Sequence, residues 1–153
     1  MLLAVYLGLL HGAERSLATS FRQVAEGHGP EPDMFHLCHT LAQQCEAHAE
    51  ALAPVIERYG EAPADEPERL HADALSETRT GPLGLLRDLQ DLYVLASLVQ
   101  VTWLMVRQAG QGLRDEELLG VVARCESQTE VQLGWLRTRM KQAAPQALIV
   151  AAG

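Results

Sequence analysis

A short sequence pattern occurs twice in this chain, eighty residues apart. The first copy begins at Cys45 and reads Cys-Glu-x-His-x-Glu, and the second begins at Cys125 and reads Cys-Glu-x-Gln-x-Glu. Each copy lies inside a segment whose apolar residues recur every three or four positions, which is the spacing of one face of an α-helix. The repeat therefore predicts two related helical hairpins whose second helices carry matching polar groups.

Hydrophobic periodicity along the chain predicts four long helices and no strands. We expect them over residues 2–26, 33–59, 82–109 and 115–144, with Gly and Pro residues ending each one. Asp33 and Asp115 are the expected N-caps of the second and fourth helices, and Pro82 is the expected first residue of the third. Pro54 falls inside the second helix and predicts a kink there. The expected fold class is all-α, a four-helix bundle in a single domain over residues 1–153.

Two segments lack the pattern of a long helix. Residues 60–81 are rich in Pro, Glu, Asp and Ala, hold at most a short helix over 68–75, and are predicted to be a crossover. At about 3.3 Å per residue they can run the length of a bundle. The apolar tail, residues 145–153, is expected to lie over a groove or to exchange with a partner chain.

The charge of the chain excludes two classes of partner. The 153 residues include 12 basic and 20 acidic residues, which gives a net charge of −8 and no basic cluster. Nucleic acid and anionic membrane surfaces are therefore not expected partners.

The apolar run over residues 92–106 is shorter than the ~20 residues of a spanning helix, so no transmembrane segment is predicted. Three cysteines, an odd number, favour a reducing compartment, and we expect a cytoplasmic protein.

The third predicted helix is apolar on two opposite sides. Its inner stripe is Leu85, Leu89, Leu92, Ala96, Gln100 and Trp103, and its second stripe is Val94, Leu98, Val101 and Met105. A four-helix bundle buries only one side of a helix, so the second stripe needs another cover. The two alternatives are the tail of the same chain and a homodimer interface.

Several polar residues fall on the inner faces of the predicted helices. Glu14 lies in the stripe of Leu10, Leu17 and Phe21, while Cys45 and His48 lie in the stripe of Leu41 and Leu52. The second hairpin contributes Gln100, Cys125, Thr129 and Gln132, with Gln128 at the edge. Because an isolated buried carboxylate would protonate, Glu14 is expected to have a partner in the core.

This layout resembles the ferritin-like superfamily. In helix order and total length, the chain looks like the small YciE-type stress-associated proteins of that superfamily. The resemblance implies a bundle of two hairpins joined by a long crossover, with one Glu on each first helix and Glu-x-x-His on each second helix around two iron ions. Glu14 and His48 match that pattern. Cys45, Gln100, Cys125 and Gln128 depart from it, and neither thiol nor amide replaces the anionic oxygen donors of a di-iron site.

The expected function is therefore that of a non-catalytic, stress-associated or interaction protein whose di-iron site has degenerated to a buried polar network. The alternative is a metal-binding protein that holds one Zn, Cu or Fe ion through Glu14, Cys45, His48 and Cys125. A reversible disulfide between Cys45 and Cys125 is disfavoured by their expected burial. His36 and His39, on the outer face of the second helix, offer a weaker surface site, and His11 is a candidate neighbour of Glu14.

Overall fold

In the computed structural model the chain forms a bundle of four long helices. The structure describes residues 2–60 and 73–151, and these contain no strand. The helices are α1 (Leu3–Gly27), α2 (Pro32–Tyr59), α3 (Gly81–Leu113) and α4 (Glu116–Pro145), and a short π-helical turn, Gln146–Val150, follows α4. The expectation of an all-α four-helix protein is confirmed.

The helices pack in a square in which α1 and α4 each contact both α2 and α3. The start of α2 meets the end of α4 through the ion pair of Asp33 and Arg139. The end of α1 likewise meets the start of α3, where His28 contacts Asp88. Because opposite ends touch, both of these pairings are antiparallel. The centre of the square is filled by large side chains such as Phe21, Leu52, Trp103 and Leu136.

The helix starts follow the sequence with two exceptions, at α2 and α3. The N-cap of α2 is Glu31, and Asp33 lies in the first turn and binds Arg139 instead. Helix α3 begins one residue earlier than expected, at Gly81. Asp115 caps α4 as expected, because its side chain accepts a hydrogen bond from the backbone N–H of Leu118 at 3.1 Å. Helix α2 continues through Pro54 to Tyr59.

The predicted end of α3 near Ala109 is wrong. The helix continues through Gly110 and Gly112 to Leu113, and it ends at Arg114, whose φ of 53° is left-handed. Gly110 is buried against α4, and a Cβ at this position would lie 3.2 Å from the Leu119 side chain. This glycine therefore allows α3 and α4 to approach closely and does not stop the helix.

The second apolar stripe of α3 faces outward. Val94 is 64% exposed, Val101 49% and Met105 43%, while Leu98 is half-buried. The tail, as far as the structure describes it, does not cover them, because the π-helical turn contacts α3 near its start, where Gln146 lines a groove with Pro82 and Leu85. Its own Leu148, Ile149 and Val150 are exposed.

Helix α3 also passes a test of length and composition for a bilayer-spanning helix, and it is the one described helix that does so. Core helices of folded domains pass the same test, and 44% of its apolar window is buried here.

Candidate functional site

A carboxylate and an imidazole meet at the centre of the bundle. Glu14 of α1 is fully buried, and its Oε2 lies 2.5 Å from Nδ1 of His48 on α2. His48 is itself only 3% exposed. Both residues occupy the inner apolar stripes of their helices, as the sequence predicts, so the packing of α1 on α2 brings them together. Glu14 thus has the core partner that a buried carboxylate needs.

The other ring nitrogen of His48 reaches the fourth helix. Its Nε2 lies 2.6 Å from Oε1 of Gln128, which is an exposed residue of α4. Both ring nitrogens therefore face oxygen acceptors, and with this amide orientation both donate, as in a protonated imidazole. The result is a chain of hydrogen bonds from the surface at Gln128 to the buried carboxylate of Glu14.

Burial and pairing shift the pKa values of both members. Burial raises the pKa of Glu14, and the hydrogen bond and charge of His48 oppose the rise only in part. Burial also lowers the pKa of His48, but the hydrogen bond and charge of Glu14, with the hydrogen bond of Gln128, outweigh it and leave that pKa raised. The pair consequently holds its shared proton more tightly than either side chain would in water.

Helix α3 contributes an indole ring to this site. Trp103 is fully buried and lies edge-to-face against His48, with ring centroids 6.4 Å apart. Glu14 Oε1 and Trp103 Nε1 are both buried without a hydrogen-bond partner in the described part of the chain, although the Trp103 N–H is close enough to lower the pKa of Glu14 slightly. An unsatisfied buried polar atom costs about 1–3 kcal/mol, so this corner of the site is energetically unfavourable.

Gln100 does not occupy the inner position expected of it. It is half-buried and lines a surface groove with Glu126 and Glu130 of α4. The core-facing side of α3 is centred on fully buried residues that include Val99 and Trp103, and this rotation leaves Gln100 at the edge of the stripe.

The predicted thiols lie beside the pair. Cys45 Sγ is 3.7 Å from Nε2 of Gln132, and this amide also donates to Gln44 Oε1 at 3.1 Å. Burial, with the charge of Glu14, raises the pKa of Cys125 to about 12 and that of Cys45 well above its ordinary value. Both cysteines are free and buried. In the metal-free chain they therefore remain protonated thiols, which are poor nucleophiles.

The four predicted metal ligands, Glu14, Cys45, His48 and Cys125, share this region, since the charge of Glu14 acts on both thiols. No three His, Cys, Asp or Glu side chains within residues 2–60 and 73–151 are grouped so that they could hold a metal ion. Both ring nitrogens of His48 are already bonded to protein. The side chains, as arranged, fit a hydrogen-bonded network and would have to release His48 from one partner to bind a metal.

The internal repeat has a counterpart in the ion pairs of the two hairpins. Glu46 of α2 pairs with Arg22 of α1 at 2.8 Å, and the equivalent Glu126 of α4 pairs with Arg107 of α3 at 3.1 Å. The fourth position of the repeat brings its two members into contact, because His48 binds Gln128.

The surface histidines of α2 are not grouped around a common point. His39 contacts Glu26 and Arg22, whereas His36 is exposed. His11 on α1 is half-buried, and burial followed by the charge of Arg15 lowers its pKa.

A second buried polar cluster joins α1 to α3. His28 Nε2 donates to Asp88 Oδ2 at 2.8 Å, and Arg79 donates to the same carboxylate from its backbone N–H and its guanidinium. Asp88 is fully buried and His28 is 6% exposed. Sequence analysis missed this cluster because His28 falls in a connection, although an Asp at position 88 between Leu85, Leu89 and Leu92 is a usable signal.

No protein-family model, curated protein sequence or solved structure matches this chain. The class that the fold and the site define is an all-α four-helix bundle with a Glu–His–Gln network that runs from the buried Glu14 to the surface.

Proposed function

We propose that this protein is a non-catalytic, ferritin-like bundle that acts as a stress-associated or interaction protein. Its inner polar residues fix how its helices pack. The observation that carries the proposal is the double engagement of His48, which binds Glu14 of α1 and Gln128 of α4 at once. A side chain that links three helices penalises any sliding or rotation of one helix, because a shift leaves a buried polar group unpaired.

The directions of the helices support the ferritin-like arrangement. Because α1 packs antiparallel to its sequence neighbour α2 and also to α3, the helices α2 and α3 run in the same direction. The segment between two such helices has to return along the bundle, as a long crossover does. The expected crossover spans residues 60–81, of which 61–72 lie outside the described residues.

The chemistry of the site supports a role without catalysis. The positions that would carry further anionic oxygens in a di-iron protein hold a thiol at Cys45, an amide at Gln100 and a thiol at Cys125. Two iron ions need several carboxylates to balance their charge. Free, buried cysteines also suit a reducing compartment such as the cytoplasm.

A second candidate function, a protein with one metal ion in its core, is favoured by one observation. Glu14 Oε1 is buried, carries part of a negative charge and has no hydrogen-bond partner in the described part of the chain. A cation bound there, with Cys45, His48 and Cys125 as further ligands, would satisfy it. It would also displace the thiol protons and one partner of His48.

Metal analysis distinguishes the two candidates. Protein purified without a His-tag is analysed for Zn, Cu and Fe, and its melting temperature is measured with and without added Zn²⁺, Cu⁺ and Fe²⁺. The network proposal expects metal-free protein and an unchanged melting temperature. Stoichiometric metal that is lost in His48→Ala and Cys45→Ala, but kept in the surface control His36→Ala, would overturn it and establish the metal site.

A further inference from the structure

The outer face of α3 is a continuous apolar stripe. Val94, Leu98, Val101 and Met105 follow one another at steps of four, three and four residues, which is the spacing of a coiled-coil seam. Leu104 lies beside them and is 44% exposed. None of the described helices packs over this face, because α1 and α4 hold the other sides of α3. The stripe has the shape that fits another helix with the same spacing.

The charge of this face favours a second copy of the chain as the partner. The protein carries a net charge of −8, so two copies repel each other over most of their surfaces. Residues 92–106, which include the whole stripe, contain no charged side chain. Along the stripe itself, two copies can therefore meet without placing charged α3 side chains against each other.

We propose that α3 pairs antiparallel with α3 of a second copy about a twofold axis that passes between Leu98 and Val101. In this register Val94 faces Met105 of the partner subunit, and Leu98 faces Val101 of the partner subunit. The exposed Leu83, near one end of the stripe, comes close to the exposed Leu113 of the partner subunit. The interface is isologous, as a closed dimer requires.

The charges that flank the stripe select the antiparallel orientation. In a parallel pair, Arg87 would face Arg87 of the partner subunit, and Asp91 would face Asp91 of the partner subunit. The antiparallel register places these residues against the uncharged Gly112 and Gln108 of the partner subunit. Like charges directly across an interface are unfavourable, so only the antiparallel pair is free of them. This proposal stands on the outer face of α3 and does not depend on the polar network of the core.

The first test measures oligomeric state by sedimentation velocity on the full chain. Val94→Glu and Val101→Glu are expected to weaken the dimer by roughly 100-fold or more, because each dimer then buries two unpaired carboxylates. Val131→Glu is the matched control, since Val131 is a valine that is 68% exposed and lies on α4, outside the stripe. Both stripe positions are exposed in the single chain, so helicity by circular dichroism is expected to stay unchanged.

The second test reads the register by disulfide formation between introduced cysteines. Val94→Cys alone and Met105→Cys alone are expected to remain uncrosslinked, whereas a mixture of the two forms a covalent heterodimer, because these positions face each other across the twofold axis. The native thiols add no background, since all three are buried and the pKa of Cys38 is raised to about 12, like that of Cys125.

Three outcomes would overturn the proposal. Wild-type protein that is monomeric at about 100 μM has no interface of useful strength on this face. A dimer that survives both Val94→Glu and Val101→Glu uses another surface. Rapid crosslinking of Val94→Cys with itself would establish a parallel pair in place of the antiparallel one.

Discussion

Removal of His48 tests the core network most directly. In His48→Leu, the fully buried carboxylate of Glu14 loses the one hydrogen-bond partner that it has among the described residues, and both of its oxygens are left unsatisfied there. Breaking one side of a buried ion pair costs about 3–5 kcal/mol. The double variant Glu14→Leu/His48→Leu removes the stranded charge, and apolar replacement of a whole buried pair is usually neutral or stabilising by about 1–4 kcal/mol. Gln128 loses its partner in both variants but is exposed and can bind water.

Urea unfolding monitored by circular dichroism at neutral pH provides the measurement. We expect His48→Leu to lose about 3 kcal/mol or more of unfolding free energy, and the double variant to recover it. This loss is large compared with the total unfolding free energy of a typical domain, about 5–15 kcal/mol. The slope of unfolding free energy against urea concentration should stay constant. His36→Leu, at an exposed position of the same helix, is the control for the substitution itself.

The stability difference between the wild type and the double variant should depend on pH. Folding raises the pKa of both Glu14 and His48, so their contribution to stability is fully present at low pH and is lost as the pH rises. The loss begins near the ordinary values of 4.5 for Glu14 and 6.5 for His48 and extends above them. Above about pH 5, the wild type should therefore lose stability relative to the double variant as the pH rises, by up to about 1.4 kcal/mol per pH unit for one proton.

Three results would refute this reasoning. A cost below about 1 kcal/mol for His48→Leu would mean that Glu14 is not stranded. If the free-energy changes of the single variants His48→Leu and Glu14→Leu add up to that of the double variant, the two residues are not coupled. A stability difference that stays flat with pH would mean that folding leaves the proton affinity of the pair unchanged.

Three further predictions concern other parts of the bundle. Gly112→Ala should stabilise α3 by about 0.5–1 kcal/mol, because a Cβ there meets nothing within 4 Å. Gly110→Ala should gain less or lose stability, because its Cβ would press on the Leu119 side chain. Thermal unfolding of the two variants tests this difference. Asp88→Asn should cost about 3 kcal/mol or more in urea unfolding, since it removes the buried negative charge that binds His28 and Arg79. Asp91→Asn, in the more exposed ion pair with Arg79, should cost at most about 1 kcal/mol. In the native state, the three buried thiols should resist a soluble aromatic disulfide reagent at mildly alkaline pH, and in denaturant they should react fully. Fast labelling of the native protein would contradict their burial and their raised pKa values.

Sequence reasoning predicts the helices well because each buries a stripe of regular spacing. It places Glu14, Cys45, His48 and Cys125 in the core correctly, since each falls between buried Leu or Val residues of its own helix. It fails for Gln100, because a residue at the edge of a stripe turns in or out according to the rotation of the whole helix. That rotation depends on contacts with α1 and α4 and cannot be read from α3 alone.

Glycine and short-range signals mislead in a similar way. Gly110 predicts a helix end from its conformational freedom, but its actual role depends on Leu118 and Leu119 of the next helix. Cys38 lies outside the predicted stripe of its helix and is nevertheless fully buried. The contact between His28 and Asp88 joins residues 60 positions apart, which no local pattern specifies.

The turn between α3 and α4 has a consequence for how the chain folds. It consists of Arg114 and Asp115 alone, whereas the connection between α2 and α3 spans residues 60–80. Closing the longer loop costs about 2 kcal/mol more chain entropy, from the logarithm of the ratio of loop lengths. We therefore expect each hairpin to form before the two hairpins dock. The contacts made at docking include His48 with Gln128, Cys45 with Gln132 and His28 with Asp88, so polar groups would select the final alignment after most of the apolar collapse is complete.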